Sequence, residues 1–425
     1  MDLHLAPREL TRLRELAARQ AQIAALPVME ERRARWMALN DGDSTVPPPV
    51  VIETWTFDRD FLPANLLSCE SALGRGIERQ LLANIRNHEL IDDDKVIPAE
   101  FHYGWRLEID KWGVKIPRRV VRDGQGEELG FEQEHPVRDI DDDFRKLKPP
   151  VCRVDREGTQ TYAAFLEELL GDLLPLRLVT GHIGNTMLTQ AMVTLMGMEA
   201  YFMAMYDNPD GVHRLMGYLR DNALVVMRWA ESEGLLRVNN GNEASFGSSY
   251  NFTTKLPAPG HTGPGARLCD LFGSSNSQET VGVAPAMFHE FCFPYYRDVC
   301  EPFGLLYWGC CEPADPFWDD LQRLPHLKKV SISRWADEHF MGEALRGTDV
   351  IYSRKPNPNL LGVDVTLDED AWAREIRTTL DATRGVGLEF IVRDVYTVHG
   401  NLSKPRRAVE IAREQISRYR DTVRT

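Results

Sequence analysis

The second half of the chain alternates short apolar segments with amphipathic ones, and this alternation constrains the fold more than any other feature. The apolar segments have the length of buried strands and lie at 305–309, 330–333, 350–353 and 388–392. The amphipathic segments have helical spacing and lie at 315–323, 338–345, 368–383 and 404–418. Such alternation is typical of βαβ units around a parallel sheet. Seven or eight units in about 275 residues predict a closed (β/α)8 barrel of the TIM type rather than an open sheet.

The part of the chain before the barrel is less regular. Its predicted elements are helices at 8–39, 71–89, 187–204 and 209–233 and strands at 50–52 and 176–181. Residues 98–150 contain no regular pattern, and the pattern changes after Pro150. We therefore predict a helical extension at 1–150, packed on the barrel mouth, and a barrel at 151–425.

Composition excludes several classes of function. The chain has 425 residues and a formal net charge of −14, which disfavours binding to a nucleic-acid backbone. No apolar run approaches the length of about 18 residues that a membrane span needs. The first residues lack the charged and apolar regions of a secretory signal, and the seven cysteines have no disulfide-framework spacing. A cytoplasmic protein that contacts neither nucleic acid nor membrane is expected.

Polar residues are concentrated directly after the predicted strands. In a (β/α)8 barrel the active site lies at these carboxyl ends, so the residues there are the candidates for function. The candidates for substrate binding are His182, Asn185, Glu243, Glu279 and Trp335. The candidates for catalysis are Asp337, Asp394, Lys355, Arg393 and Tyr396.

The sharpest feature is the run Cys310-Cys311-Glu312 after the strand at 305–309. At a strand end the two cysteine side chains are expected to point to opposite sides, so that one faces the barrel mouth. That cysteine could bind zinc as a thiolate, with Glu312, Asp394 or His399 completing the site, or it could act as a nucleophile. The alternative is a small buried apolar residue, because free cysteine is among the most buried residue types.

Common nucleotide and hydrolase motifs are absent from the sequence. Gly181-His182-Ile183-Gly184 does not fit the dinucleotide fingerprint, and no GxxxxGK[ST] loop occurs. There is also no GxSxG elbow. The sequence therefore gives no support for a P-loop enzyme, a Rossmann dehydrogenase or an α/β-hydrolase.

From about residue 175 onward the chain resembles the uroporphyrinogen decarboxylase superfamily, over roughly 250 residues. The matching segments, in chain order, are Gly184-Asn185-Thr186, Tyr206-Asp207-Asn208-Pro209, Pro285-Ala286-Met287-Phe288-His289-Glu290-Phe291, Pro294-Tyr295-Tyr296, Ser333-Arg334-Trp335-Ala336-Asp337, Lys355-Pro356-Asn357-Pro358 and His399-Gly400-Asn401. The order of these segments and the Pro-Tyr helix carry the resemblance. It implies a (β/α)8 barrel with an open mouth.

The superfamily includes decarboxylases and cobalamin-dependent methyltransferases. In the methyltransferase branch a zinc ion is held by an HxC pair and a distant cysteine. Here the HxC position reads Trp308-Gly309-Cys310, without the histidine, and the distant cysteine position falls near Asp394. The resemblance then implies zinc ligands drawn from Cys310, Cys311, Glu312 and His399.

Three functions remain open at this stage. The first is transfer of a methyl group between a small methylated compound or thiol and a corrinoid. The chain has no DxHxxG pattern of its own, so the corrinoid would be carried by a partner protein. The second is a metal-free decarboxylase or lyase, in which Asp337, Asp394 or Arg393 manages protons and charge. The third is a binding protein that has lost its chemistry. The oligomeric state stays open between a monomer and a homodimer.

Overall fold

The computed structural model describes residues 3–122, 128–245 and 248–424. Its helices are numbered in chain order. They are α1 Pro7–Ala24, α2 Pro27–Asp41, α3 Asp58–Phe61, α4 Ala72–Arg86, α5 Ile140–Asp143, α6 Arg156–Leu170, α7 Leu188–Met196, α8 Met198–Asp207, α9 Pro209–Ser232, α10 Pro285–Phe291, α11 Phe293–Cys300, α12 Trp318–Leu321, α13 Glu338–Leu345, α14 Asn359–Gly362, α15 Glu369–Ala382 and α16 Ser403–Arg424.

The strands are numbered in the same way. They are β1 Val50–Ile52, β2 Phe101–Gly104, β3 Leu107–Asp110, β4 Arg118–Arg122, β5 Glu128–Gln133, β6 Val151–Val154, β7 Leu176–Val179, β8 Asn185–Thr186, β9 Ala244–Ser245, β10 Ser249–Tyr250, β11 Phe272–Ser275, β12 Leu305–Trp308, β13 Leu327–Ile332, β14 Ile351–Arg354 and β15 Leu388–Val392.

Seven of these strands form the main sheet, in the order β1-β15-β14-β13-β12-β11-β8. Every described pairing within this sheet is parallel. Helices lie between successive strands of the second half, which is the βαβ arrangement that the sequence predicts. The α/β class and the parallel sheet are thus confirmed, while closure into an eight-stranded barrel stays a prediction. The edge formed by the carboxyl ends of these strands is called the mouth below.

The first 150 residues contribute to the sheet itself. Val50–Ile52 pairs in parallel with Phe390–Val392 of β15, so the extension supplies one strand of the main sheet. Residues 98–150, which carry no regular pattern in the sequence, include β2 and three strands of antiparallel pairs. β7 pairs with β2 outside the main sheet. These strands are short and half-exposed or exposed at most positions, and apolar periodicity is weak in such strands.

Two predicted helices are each divided in the structure, and in both places the dividing residue explains the break. The helix predicted at 8–39 divides at Pro27, which opens α2 because proline lacks the amide hydrogen that helix interiors require. The helix predicted at 187–204 divides at Gly197, whose φ of +83° lies in the left-handed region. The predicted helices at 209–233 and 338–345 agree with α9 and α13.

The interior of the sheet combines apolar packing with buried charge. One large apolar cluster joins the sheet to the surrounding helices, with Trp308, Ile332, Tyr352 and Phe390 among its buried members. Between these residues the strands also carry the buried side chains of Lys329 and Glu389. Within the described residues, every helix is too short or too polar to cross a membrane.

Candidate functional site

The two adjacent cysteines lie side by side directly after β12. Gly309 has a φ of +97°, and a Cβ at this position would meet the Cβ of Ser331 at 2.9 Å, so the turn out of the strand requires glycine. This turn ends the extended backbone before Cys310. Side chains alternate between the two faces only along a strand, so Cys310 and Cys311 do not have to point to opposite sides. The Sγ atoms of Cys310 and Cys311 are 3.5 Å apart. The prediction that they point to opposite sides is therefore wrong.

Cys311 is the more accessible member of the pair. Its Sγ donates a hydrogen bond to Oδ2 of Asp394, at 3.1 Å. The contact with Cys310 and burial raise the pKa of the Cys311 thiol. A hydrogen bond from Cys311 and the charge of Arg393 lower the pKa of Cys310. Within the pair, Cys310 is therefore the better thiolate, and Cys311 keeps its proton.

Asp394 reaches Cys311 through an uncommon backbone conformation. Its φ is +61°, in the left-handed region, where aspartate is tolerated better than most residues. Such a conformation costs roughly 1–3 kcal/mol and is kept only where the surroundings impose it. It directs the carboxylate at the end of β15 towards the cysteines. Tyr396, two residues after Asp394, lies close to the same group. Burial and the charges of Asp394 and Cys311 raise the pKa of its hydroxyl.

Glu312 holds the cysteine turn in place. Its two carboxylate oxygens accept hydrogen bonds from the backbone amides of Ser277, at 2.9 Å, and Cys310, at 3.0 Å. The side chain is buried, and burial raises its pKa. Glu312 therefore joins the loop after β11 to the loop after β12 and fixes the position of Cys310.

Arg393 and Glu53 form a second buried group at the mouth. Nε of Arg393 lies 3.8 Å from Oε1 of Glu53 and 3.6 Å from Oδ2 of Asp394, beyond ordinary hydrogen-bond length. Both Arg393 and Glu53 are more than nine-tenths buried. Burial raises the pKa of Glu53, against the opposing charge of Arg393. Glu53 follows β1, so the extension contributes a carboxylate to this site.

A buried polar network lies beneath the cysteines. Nζ of Lys355 donates to the hydroxyl of Tyr307, at 2.7 Å, and to the hydroxyl of Ser353, at 2.6 Å. Ser353 in turn donates to Glu389, whose other oxygen accepts a hydrogen bond from Lys329 at 3.0 Å. Burial is the largest cause that lowers the pKa of Lys355 to about 7. An amine that titrates near neutrality therefore lies close to Cys310.

A cavity of about 590 Å³ opens beside Cys311 at the mouth and is called the Cys311 cavity. It is lined by Met198, Gln278, Glu279, Val281, Cys311, Glu312, Pro313 and Trp335. The structure thus brings together the predicted residues Glu279, Cys311, Glu312 and Trp335 in one cavity. Asp394 contacts Cys311 directly, while Lys355 and Arg393 lie buried behind the cysteines.

Other predicted residues have different surroundings. Asp337 is exposed and caps α13, accepting a hydrogen bond from the Phe340 amide at 3.0 Å. Nε2 of His399 lies 3.0 Å from the carbonyl oxygen of Val363, beside α14. Glu243 accepts a hydrogen bond from Arg177 at 3.0 Å. None of these three lines the Cys311 cavity.

Asn185 lines a second cavity, of about 390 Å³, together with Trp105 and Trp112 of the extension. This cavity is mainly apolar and lies between β2, β3 and α9. The backbone of His182 belongs to a turn of 3-10 helix, and its side chain lies outside the described part of the structure.

The predicted zinc ligands do not fit a metal site in this arrangement. Both oxygens of Glu312 are taken by backbone amides, and the ring of His399 lies against α14. Across residues 3–122, 128–245 and 248–424, no three histidine, cysteine, aspartate or glutamate side chains form a group that could hold a metal ion. We therefore derive no step through zinc. The zinc binding that the sequence predicts stays untested, and the positions of these side chains argue against it.

The sequence analysis does not identify several residues of this site. Glu53 comes from the extension, which the sequence treats as separate from the barrel. Lys329 and Glu389 lie inside apolar strands and carry a signal that could have found them. Lys329 lies two residues before the buried Ser331 on β13, the spacing of one face of a strand, and Glu389 pairs with the buried Ser353 between β15 and β14.

Comparison with known proteins extends to the fold alone. No family model matches the chain, and no curated protein matches it by sequence. A solved structure of a methyltransferase from Methanosarcina mazei is similar, with a TM-score of 0.51 and 12% sequence identity. The likeness covers 91% of this chain and 99% of that one. It includes the extension as well as the main sheet, so the two parts share one architecture with the solved protein.

Proposed function

We propose that the chain moves a methyl group between a small methylated compound or thiol and a corrinoid carried by a partner protein. The observation that carries the proposal is the Cys310–Cys311 pair, whose accessible thiol lines a cavity at the mouth of a parallel sheet. The thiolate is the reactive form of cysteine, and Cys310 is the better thiolate of the pair, so the pair is suited to chemistry on soft methyl donors and acceptors. The solved protein of similar fold is called a methyltransferase, which supports the proposal by analogy of fold.

The surface around the mouth supports a protein partner. Large apolar side chains that are more than half exposed follow the carboxyl ends of five main-sheet strands. They are Trp55, Val281, Trp335, Val363, Val365 and Tyr396. Exposed apolar side chains that recur around one face are typical of an interaction surface. A partner docked here would place its corrinoid over the Cys311 cavity, where the corrinoid supplies or accepts the methyl group.

The residues of this chain then hold the substrate and manage its proton. Asp394 accepts the hydrogen bond of the Cys311 thiol, and Arg393 balances the charge of Asp394. Lys355, with a pKa of about 7, can hold or release a proton close to Cys310. A small thiol that enters the cavity must lose its proton before its sulfur can accept a methyl group. Asp394 and Lys355 are the groups that we expect to take this proton.

A metal-free carboxy-lyase is the second candidate. The observation that favours it is the buried pair of Arg393 and Lys355, since cationic side chains at a strand end stabilise the charge that develops when carbon dioxide leaves. Release of carbon dioxide from a small carboxylic acid, without any methyl transfer, is the result that would favour this candidate.

The test is a methyl-transfer assay on the full chain. Methylcobalamin stands in for the bound corrinoid and 2-mercaptoethanol for the thiol, and loss of the methylcobalamin absorbance gives the rate. Cys311→Ala is expected to lower the rate about 100-fold or more, because it removes the group that faces the substrate. Cys152→Ala, on β6 and away from the mouth, is the matched control and should keep the wild-type rate. A wild-type rate equal to that of buffer would count against the proposal.

A further inference from the structure

The Cys311 cavity has an unusual lining for a site beside Arg393 and Lys355. Its ionisable residues are Glu279, Glu312 and Cys311, and the other members include Trp335, Met198 and Val281. Among the described residues that line it, none is lysine, arginine or histidine. A lining that is acidic and apolar but carries no cation complements a ligand that is both cationic and apolar at its surface.

Glu279 is the carboxylate of this cavity that a bound cation could pair with. Its side chain is 8% exposed, and its oxygens accept hydrogen bonds from the Thr189 hydroxyl, at 2.8 Å, and the Gln278 amide, at 3.4 Å. Both donors are neutral, and within the described ranges no ion pair to Glu279 is formed. A buried carboxylate is costly without a positive partner. The cavity is where such a partner can reach it.

Trp335 supplies the second element of the site. The side chain is 68% exposed and lines the same cavity as Glu279. The guanidinium carbon of Arg334 lies 4.3 Å from the ring centroid, so one face of the ring already receives a cation. Tryptophan is the best of the aromatic side chains for cation–π contact, and methylated ammonium groups are recognised in this way.

We propose that the Cys311 cavity binds a small methylated cation, a methylammonium or a methylsulfonium ion, between Trp335 and Glu279. The proposal deepens the proposed function, on which it rests for the role of this cation as methyl donor. When the methyl group leaves, the bond between its carbon and nitrogen or sulfur breaks, and the electron pair stays on nitrogen or sulfur. The product is a neutral amine or thioether, so its departure needs no proton. The acceptor corrinoid contributes the electron pair of the new bond.

The test compares two ligands of the same shape on the wild-type full chain. Choline and 3,3-dimethylbutan-1-ol differ in the charged nitrogen, which is a carbon in the alcohol. Titration calorimetry should give choline a dissociation constant about 10-fold lower or more, from cation–π contact together with the carboxylate. Tetramethylammonium and trimethylsulfonium, titrated separately, then distinguish the two kinds of cation. Equal affinity for choline and the alcohol would overturn the proposal, whatever any variant does.

Variants locate the site. Trp335→Leu and Glu279→Gln should each weaken choline binding by roughly 3- to 30-fold, since each removes one of the two attractions. Tyr206→Ala removes an equally accessible aromatic ring at the far end of α8 and should leave binding unchanged. Choline binding that is the same in Trp335→Leu, Glu279→Gln and the wild type contradicts the assignment.

The outcomes also separate this inference from the proposed function. Selective choline binding without methyl transfer to any corrinoid leaves the cation site standing and removes the methyltransferase. Methyl transfer from methylcobalamin to a thiol, with no preference for choline over its neutral analogue, leaves the methyltransferase standing and removes the cation site.

Discussion

Lys355 offers the most direct test of the buried network, because its charge state can be followed through stability. The pKa of this amine is lowered to about 7 in the folded protein from an ordinary value of 10.5, first by burial and then by the charge of Arg393. Between these two pH values the unfolded chain holds one proton more than the folded chain. Stability must therefore rise with pH across the window from about 7 to 10.5, and this contribution is lost as the pH falls to 7.

The size of the effect follows from the same values. Each pH unit inside the window contributes about 1.4 kcal/mol, since one pKa unit corresponds to that free energy. Methionine at position 355 has a similar volume and does not titrate. The unfolding free energy of the wild type minus that of Lys355→Met should therefore rise by about 1.4 kcal/mol per pH unit between pH 7.5 and 9.5. For a chain of this length the melting temperature of the wild type should rise relative to that of Lys355→Met by roughly 1.5 °C per pH unit.

The assay is thermal unfolding at pH 7.5, 8.5 and 9.5, with both proteins in the same buffers so that other titrating groups cancel. Lys146→Met is the matched control, because this lysine is exposed, pairs with the half-buried Asp143 and stays solvated on folding. Its difference from the wild type should not change with pH. If the Lys355→Met difference is equally flat, Lys355 keeps its proton when buried, and the network described above cannot hold a neutral amine.

Three further predictions test other parts of the site. Glu389→Gln leaves Lys329 buried without its counter-charge and should lower the unfolding free energy by about 3–5 kcal/mol. The control Glu343→Gln breaks an exposed ion pair and should cost under about 1 kcal/mol. Urea denaturation measures both. The double variant Val363→Asp with Val365→Asp should lower kcat/KM about 10-fold or more with a protein-bound corrinoid but not with free methylcobalamin. Equal loss with both corrinoids would exclude a docking role. Metal analysis of protein purified without chelator should find clearly less than one zinc per chain, and a full equivalent would refute the metal-free site.

The second half of the fold could be predicted because its strands and helices are set by local patterns. β14 and β15 lie within one residue of the segments predicted from apolar runs, and α13 agrees at both ends. The strands of residues 98–150 could not be found in this way. β3 is exposed at alternate positions and β4 at most positions, and β3 pairs with β6, more than 40 residues away. The stability of these strands therefore comes from pairing rather than from an apolar run.

The site was predicted in part for a similar reason. The general rule that polar residues follow barrel strands finds Cys311, Glu279, Trp335 and Asp394. It does not distinguish these from Asp337, which follows a strand equally closely but caps a helix. A cap and a catalytic carboxylate look alike in sequence, because aspartate is common in both roles. The sequence is ambiguous at Gly309 as well, because a glycine after a strand does not reveal its backbone conformation. The positive φ of Gly309 is what places the two cysteines side by side.

The charged interior explains how a neutral amine can exist beneath the cysteines. Lys329, Lys355 and Arg393 share the acids Glu389 and Glu53, and Lys329 already occupies one oxygen of Glu389. Lys355 reaches Glu389 only through the hydroxyl of Ser353, so it is the cation with the weakest compensation. Apolar residues of similar volume would pack this space at less cost in stability. Keeping these charges next to a thiol pair costs stability, which we expect of a site that controls protonation.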